Sequence, residues 1–293
     1  MPNASHFHPP PCGYVASVEA SNSPPDGPVA PRDAIGAAKV DAPTRGNRRL
    51  EGLLEAANAD DRVRAWWHMQ HVFANRLGMS DHSWVHIRIV LNIALRMYRL
   101  LSKRGVEPAM VTDHLMREHD AEVVIAAACL FHDTGMSIHR TDHEAYSLFL
   151  AAERLPALLE HVYHEPERSV VVSESLHAII GHRRRGDPIT IEAGIVRVAD
   201  ALDLAQGRSR VPFENRRPNI HSLSAAAIDA VEIKAGEERA VTIEIAMNNS
   251  AGIFQVDELL ATKLRGSGLE EHVEVIASID AEHEKRLVPV FRI

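Results

Sequence analysis

The amino-acid sequence predicts a mainly α protein, a helical bundle followed by a small α+β C-terminal domain. Three observations carry that prediction. Apolar residues recur at helical spacing from Arg48 to Leu204, in segments separated by glycines and capping residues. After Gly207 the pattern changes to alternation of apolar and polar residues, as in Val231-Glu232-Ile233-Lys234. The chain of 293 residues, 45% of them hydrophobic, can bury the core of one large or two modest domains.

Composition narrows the function classes. With 25% charged residues and a net charge of −8, the chain is neither low-complexity nor collagen-like nor strongly basic. The acidic balance argues against generic nucleic-acid binding. The longest apolar run, 123–131, is far short of the ~20 residues a membrane span needs. Residues 1–20 lack the basic start and apolar stretch of a secretory signal. Cys12 and Cys129 make no disulfide framework, and Cys129 lies in an apolar run as a buried thiol would. A soluble, cytoplasmic protein is the expectation.

The elements follow in order. Residues 1–46 hold nine of the sixteen prolines and no sustained periodicity, and are expected to be a disordered tail; His6 and His8 lie in it. The helical domain spans 47–210. Its first helix starts at Arg48 with Leu50, Leu53, Leu54 and Ala57 on one side. A second starts at Asp60, carries Val63, Trp66, Trp67, Val72 and Phe73, and stops at Gly78. Ser80 and Asp81 offer caps for a long helix reaching Gly105. Asp120 caps a helix over 121–131 that is apolar on nearly every face and so belongs in the middle of the bundle. Thr141-Asp142-His143-Glu144 is a capping-box sequence, starting a helix through Arg154. The next helix runs from Glu167 to Ile180 and ends at Gly181; Asp187-Pro188 opens the last, through Leu204.

The C-terminal domain spans 211–293. Two alternating segments end in Lys234 and Met247, with Ala235-Gly236-Glu237-Glu238 as a hairpin turn. A helix near 256–264 and strands at 273–279 and 287–292 complete about four strands, the last an edge strand because Pro289 interrupts it.

The chain has 18 histidines, and a few of them share apolar helices with aspartates. His132-Asp133 ends the most apolar helix, where an unsatisfied charged pair is expensive. The competing explanation is a histidine meeting the helix dipole and an aspartate capping the next turn. His86 sits mid-helix, and Asp200 lies within Ile195-Val196-Arg197-Val198-Ala199-Asp200, where a lone carboxylate is costly. His86, His132, Asp133 and Asp200 make a mixed nitrogen and oxygen set suited to Mn, Fe, Co, Ni, Zn or Mg.

That order of residues resembles the HD-domain metal-dependent phosphohydrolase superfamily. His132-Asp133-Thr134-Gly135-Met136 looks like the family's His-Asp-hydrophobic-Gly turn, with Thr134 in place of an aliphatic residue, and 198–203 resembles its final motif. The resemblance covers roughly residues 80–207. It implies an HD-type helical bundle with one or two divalent metal ions at its centre. His86, His132, Asp133 and Asp200 would hold the first ion; Asp133 would bridge to a second held by His143 and His182. His177, on the same helix as His182, is an alternative or supplement to it. His82, one turn before His86, is a pocket residue with a lesser claim to be a ligand. Catalysis by the ions, with Asp133, His143 and His182 at the reacting centre, requires no nucleophilic Ser or Cys.

Phosphate also needs positive side chains. His182-Arg183-Arg184-Arg185-Gly186 puts arginines beside a proposed ligand, and Arg183 and Arg184 are the expected substrate contacts; Arg208 and Arg210 follow the Asp200 helix. Asp203, one turn past Asp200, is expected to orient a ligand or a substrate hydroxyl, or to pair with a nearby arginine. No P-loop, His-Glu-x-x-His or Cys-x-x-Cys motif is present. The expected function is hydrolysis of a phosphomonoester or phosphodiester, with a nucleotide as substrate, by a metal-activated hydroxide. Two alternatives stay open: a di-iron, O2-dependent oxygenase of the same superfamily, and a non-catalytic nucleotide or metal sensor. The C-terminal domain has three open roles: covering the pocket, forming a homodimer through its edge strand, or binding a regulator.

Overall fold

A computed structural model of the chain describes residues 29–204 and 224–279. The expectations for His6, His8, Cys12, Arg208, Arg210, the 210/211 boundary and the strand at 287–292 fall outside these residues. Within them the protein is mainly helical, with a small three-stranded sheet after the helical region.

The helices are α1 (Pro31–Ala37), α2 (Arg48–Ala59), α3 (Asp61–Leu77), α4 (Trp84–Lys103), α5 (Ala109–Thr112), α6 (Glu118–Phe131), α7 (His143–Leu158), α8 (Glu167–Gly181) and α9 (Ile191–Ala201). α6 is the centre of the bundle. Every residue from Asp120 to Phe131 is buried, and α2, α4, α8 and α9 pack around the helix. An apolar side chain the size of Leu or Phe, fully buried in this way, contributes about 1.5–3 kcal/mol. The two buried carboxylates in its first turns are matched. Asp120 accepts from Tyr163 Oη at 2.6 Å and pairs with Arg49, while Glu122 pairs with Arg99 and Asn47.

Local chemistry shifts several boundaries. Asp60 and Gly78 cap α3 as expected, Gly78 in the left-handed region at φ 62°. α4 is capped by Ser83, whose hydroxyl accepts from Val85 N; Asp81 instead braces Ser83 from outside the helix. Asp120 is the third residue of α6 and accepts from Arg117 N, so that helix starts earlier than its apolar run. Asp142, not Thr141, precedes α7, and it holds φ 58° without a side-chain cap. α7 continues to Leu158 through Pro156. Thr190 caps α9, because Asp187 sits at φ 42° in the preceding loop.

The proline-rich tail is not apart from the fold over its described portion. α1 and the following turn bury Ala34, Ala38 and Val40 against the bundle, and Arg64 of α3 holds the Gly36 and Ala38 carbonyls. Few apolar residues suffice to seat this segment when the partner is a preformed helix face.

After the bundle, β1 (Ile228–Ala235) pairs antiparallel with β2 (Val241–Met247), and β2 pairs parallel with β3 (Val273–Ile279) in the order β1-β2-β3. The parallel pairing requires a crossover. It is supplied by α10, a π-helical stretch over Gln255–Ala261 that runs into an α-turn at Thr262–Leu264. β1 and β2 lie against α4, and the end of α10 lies against α9. No described helix is long and apolar enough to cross a membrane.

Candidate metal centre

Five helix ends bring the expected residues together. α6 stops at Phe131, so His132 and Asp133 emerge from its C-terminus inside the bundle, and a 3-10 turn follows over Thr134–Ser137. Ser147 of α7 pins this turn: its hydroxyl accepts from Gly135 N at 2.8 Å and donates to the His132 carbonyl at 2.7 Å. Gly135 is there because of the next helix. A Cβ on it would lie 1.9 Å from the His143 carbonyl oxygen, so the turn rests directly on the start of α7. That contact sets His143 Nε2 3.0 Å from Asp133 Oδ1. α4 contributes His86 from its first turn, not from mid-helix as expected, because the Ser83 cap starts the helix at Trp84; α8 contributes His182 at its C-terminus, and α9 contributes Asp200 in its last turn.

Two donor sets result, sharing Asp133. In the first, His86 Nε2 stands 3.2 Å from His132 Nε2, with Asp133 Oδ2 at 3.5 and 3.4 Å from the two rings. Asp200 Oδ1 completes it at 3.3 and 3.8 Å. In the second, Asp133 Oδ1 faces His143 Nε2 at 3.0 Å and His182 Nε2 at 3.8 Å. One oxygen of Asp133 serves each set.

The far nitrogens of the rings decide which way the lone pairs point. His86 Nδ1 donates to Asp203 Oδ2 at 2.6 Å, His132 Nδ1 to the Cys129 carbonyl at 2.8 Å, and His182 Nδ1 to the Ile179 carbonyl at 2.5 Å. Each acceptor requires the proton on Nδ1 and leaves Nε2 as a lone pair in the neutral ring. Lone pairs of His86 and His132 facing each other beside two carboxylates repel unless a cation lies among them. Donors bound to one ion at about 2.1 Å stand about 3.0–3.4 Å apart. The spacing and the nitrogen and oxygen chemistry both fit a divalent metal.

Electrostatics leave the donors in their metal-binding forms. Burial pushes the Asp133 carboxyl up, but His132, His143 and His86 outweigh it and hold the group well below the usual carboxylate range. Burial lowers His132, and burial with the charges of His132 and Lys263 takes His182 down to about 3. His143 is the exception. Burial opposes its charge, yet the hydrogen bond to Asp133 raises it above its ordinary value.

A cavity of 840 Å³ opens beside the second set, lined by Arg140, Thr141, Asp142, His143, Glu144, Arg183, Arg184, Arg185 and Thr262. Arg183 and Arg184 are therefore at the mouth, as expected, Arg184 also pairing with Glu258 at 3.1 Å. Three other residues expected near the site do not line this cavity, and one of them, Asp203, takes the ligand-orienting role among those expected of it. His177 is occupied by the loop before α9: its Nε2 accepts from Ile189 N at 3.1 Å. Asp203 stands behind His86 and orients that ring. His82 is buried with its ring 5.6 Å from that of His86, and its Nδ1 donates to the Ser80 carbonyl. Ser147, Arg140, Arg197 and Lys263 were not legible in the sequence: none falls in a motif, and Ser147, Arg197 and Lys263 are placed by contacts between separate elements.

A family model described as HD domain matches residues 83–205, the stretch from the cap of α4 to just past α9 that carries all six donors. A protein of Methanocaldococcus jannaschii, described as uncharacterized, is 39% identical over 222 residues, covering 75% of this chain and 86% of the relative. No solved structure matches.

Proposed function

The chain belongs to the HD-domain superfamily of metal-dependent hydrolases, and from that premise we propose that it hydrolyses a phosphomonoester or phosphodiester, with a nucleotide as the substrate class. The observation that carries this reading is the junction of two features: a buried pair of donor sets sharing Asp133, and a cavity ringed by four arginines. Divalent ions held at the two sets would lower the pKa of water and neutralise phosphate charge. Ions from Mn, Fe, Mg, Co, Ni and Zn suit the donors, and the split Asp133 carboxylate favours two of them over one.

The chain's own residues do the rest. Asp133 holds the two sets in register, with His143 and His182 on the side that faces the cavity. Asp203, Cys129 and Ile179 fix the rings so that lone pairs face inward. Arg140 and Arg183–Arg185 supply guanidinium forks that match phosphate oxygens. The cavity lies within the size range of small-molecule sites and exceeds the needs of inorganic phosphate, which supports a nucleotide-sized ester.

Metal analysis of the purified protein, followed by a panel of phosphomonoesters and phosphodiesters with Mn2+ or Mg2+, tests the reading. The expected result is about two ions per chain and turnover that Asp133→Asn reduces by a factor of at least about 1,000, since both sets lose their shared anion. Full turnover in Asp133→Asn, or a metal-loaded wild type inert on the whole panel, would refute it.

A further inference from the structure

The C-terminal unit does more than pack against the bundle: it delivers a cation to the metal centre. α10 changes from π to α geometry just before Lys263, and π-helical turns are rare and concentrate at functional sites. Its final turn has a built seat. Arg197, buried on α9 one turn before Asp200, donates through Nε to the Lys263 carbonyl at 2.9 Å and through Nη2 to the Thr262 carbonyl at 3.5 Å. The same Nη2 donates to the Arg184 carbonyl at 2.9 Å, so one side chain ties the arginine loop to the end of α10. Below it, Gly194 lets the Ser267 carbonyl oxygen come within 2.0 Å of where a Cβ would stand. Residues 262–267 are thus held through their backbone, and no other side chain than glycine at 194 permits it.

From this seat Lys263 Nζ pairs with Oδ2 of Asp200, whose Oδ1 faces His86 and His132. Thr262, its neighbour, lines the arginine cavity. Lys263 therefore stands at the first donor set, next in sequence to a residue that lines the cavity. A guanidinium fork is committed to planar partners, whereas an ammonium on a four-carbon stem can exchange one anion for another.

Building on the phosphohydrolase reading above, we propose that Lys263 is a phosphate-binding residue of this site, paired with Asp200 until a phosphoryl group enters and then shared with it. The C-terminal unit is on this account a component of the substrate site. Its ammonium adds to the positive charge of the arginines, and Arg197 is the positioning residue that ties the arginine loop to the end of α10.

The test uses inorganic phosphate as the probe and the full chain as the protein. Calorimetry measures Mn2+ binding to the metal-free protein and phosphate binding to the Mn2+-loaded protein, in wild type, Lys263→Met, Lys263→Gln and Lys263→Arg. Removing the charge weakens phosphate binding by about tenfold or more, as expected for a hydrogen bond to a charged group. Mn2+ affinity stays the same or tightens, because a cation beside Asp200 has gone. Lys263→Arg recovers most of the phosphate affinity. Unchanged phosphate binding in both neutral variants, or a loss of Mn2+ affinity with phosphate binding to the loaded site intact, would overturn the proposal and reduce Lys263 to a prop for Asp200. A wild type that binds phosphate through Lys263 yet cleaves no ester would remove the hydrolase reading and leave this one standing.

Discussion

Asp203 shows how much of a metal centre lies behind its ligands. Its carboxylate fixes the tautomer of His86 from the ring's far side, at 2.6 Å, and is not part of the lining of the arginine cavity. Partners of this kind typically account for a 10–100-fold difference in metal affinity. Asp203→Ala is accordingly expected to weaken Mn2+ binding by about 10–100-fold while the far-ultraviolet circular dichroism stays that of the native helices. Equal affinity in the variant would mean that burial alone orients His86. The spacing of Asp203 from Asp200 in sequence pointed to a role near the site. Which side of His86 it would occupy depended on where α9 ends, and it ends at Ala201, so Asp203 lies beyond the helical register.

At the scale of elements, the centre is a property of helix termini. His86, His132, Asp133, His143, His182 and Asp200 all sit within about a turn of a helix end, His86 as the third residue of α4. Ends are where backbone direction changes, so side chains from several axes can converge there. The cost is that each end must be held. Ser147 and Gly135 hold the junction of α6 and α7, and its tightness is set by the 1.9 Å a Cβ would leave to the His143 carbonyl. Gly135→Ala is expected to destabilise the fold by about 1–3 kcal/mol or more, because backbone must move to admit the methyl group. The same movement draws His143 away from Asp133, so metal stoichiometry should fall by one ion. A denaturant midpoint and a metal count read these two effects separately, and a variant normal in both would show the junction to be looser than its geometry.

At the scale of the molecule, the buried histidines couple stability to acidity. Burial lowers His132 and His182, the latter to about 3, so in the folded chain they stay neutral where the unfolded chain takes up a proton on each near 6.5. The unfolded state binds more protons, and stability falls as pH drops below 6.5, by about 1.4 kcal/mol per pH unit for each such group. His143 acts in the opposite sense. Its folded value is raised, so its contribution is complete below 6.5 and declines as pH rises through that higher value. Asp133, held low, contributes above its usual 3.8 and loses that contribution only in stronger acid. Metal-free protein should therefore show a melting temperature that falls steadily from pH 6.5 to pH 5. Mn2+ at about 100 times its dissociation constant adds about 2.7 kcal/mol, a gain that shrinks with acid as protons compete for the ring nitrogens. A melting temperature flat across that range in chelator would contradict neutral histidines in the core.

The sequence by itself determined the helices, because Leu50, Leu53, Leu54 and Ala57, and the unbroken apolar run 123–131, leave few other ways to bury their surface. It also singled out His86, His132, Asp133 and Asp200 as candidate donors, because these polar groups fall in or at the end of apolar helices where an unsatisfied one is costly, while His143 and His182 came from the family resemblance alone. Which donors share an oxygen of Asp133, and that His177 turns to Ile189 instead, was decided by the packing of α7 and α8 around α6. Lys263 belongs wholly to the tertiary structure. It lies 63 residues from Asp200, and nothing in periodicity or motif relates the two. Only Arg197 and Gly194, by drawing α10 onto α9, bring its charge to the metal centre. Local patterning records which face of an element must be buried; convergence of charges from separate elements is settled by how those faces close on one another.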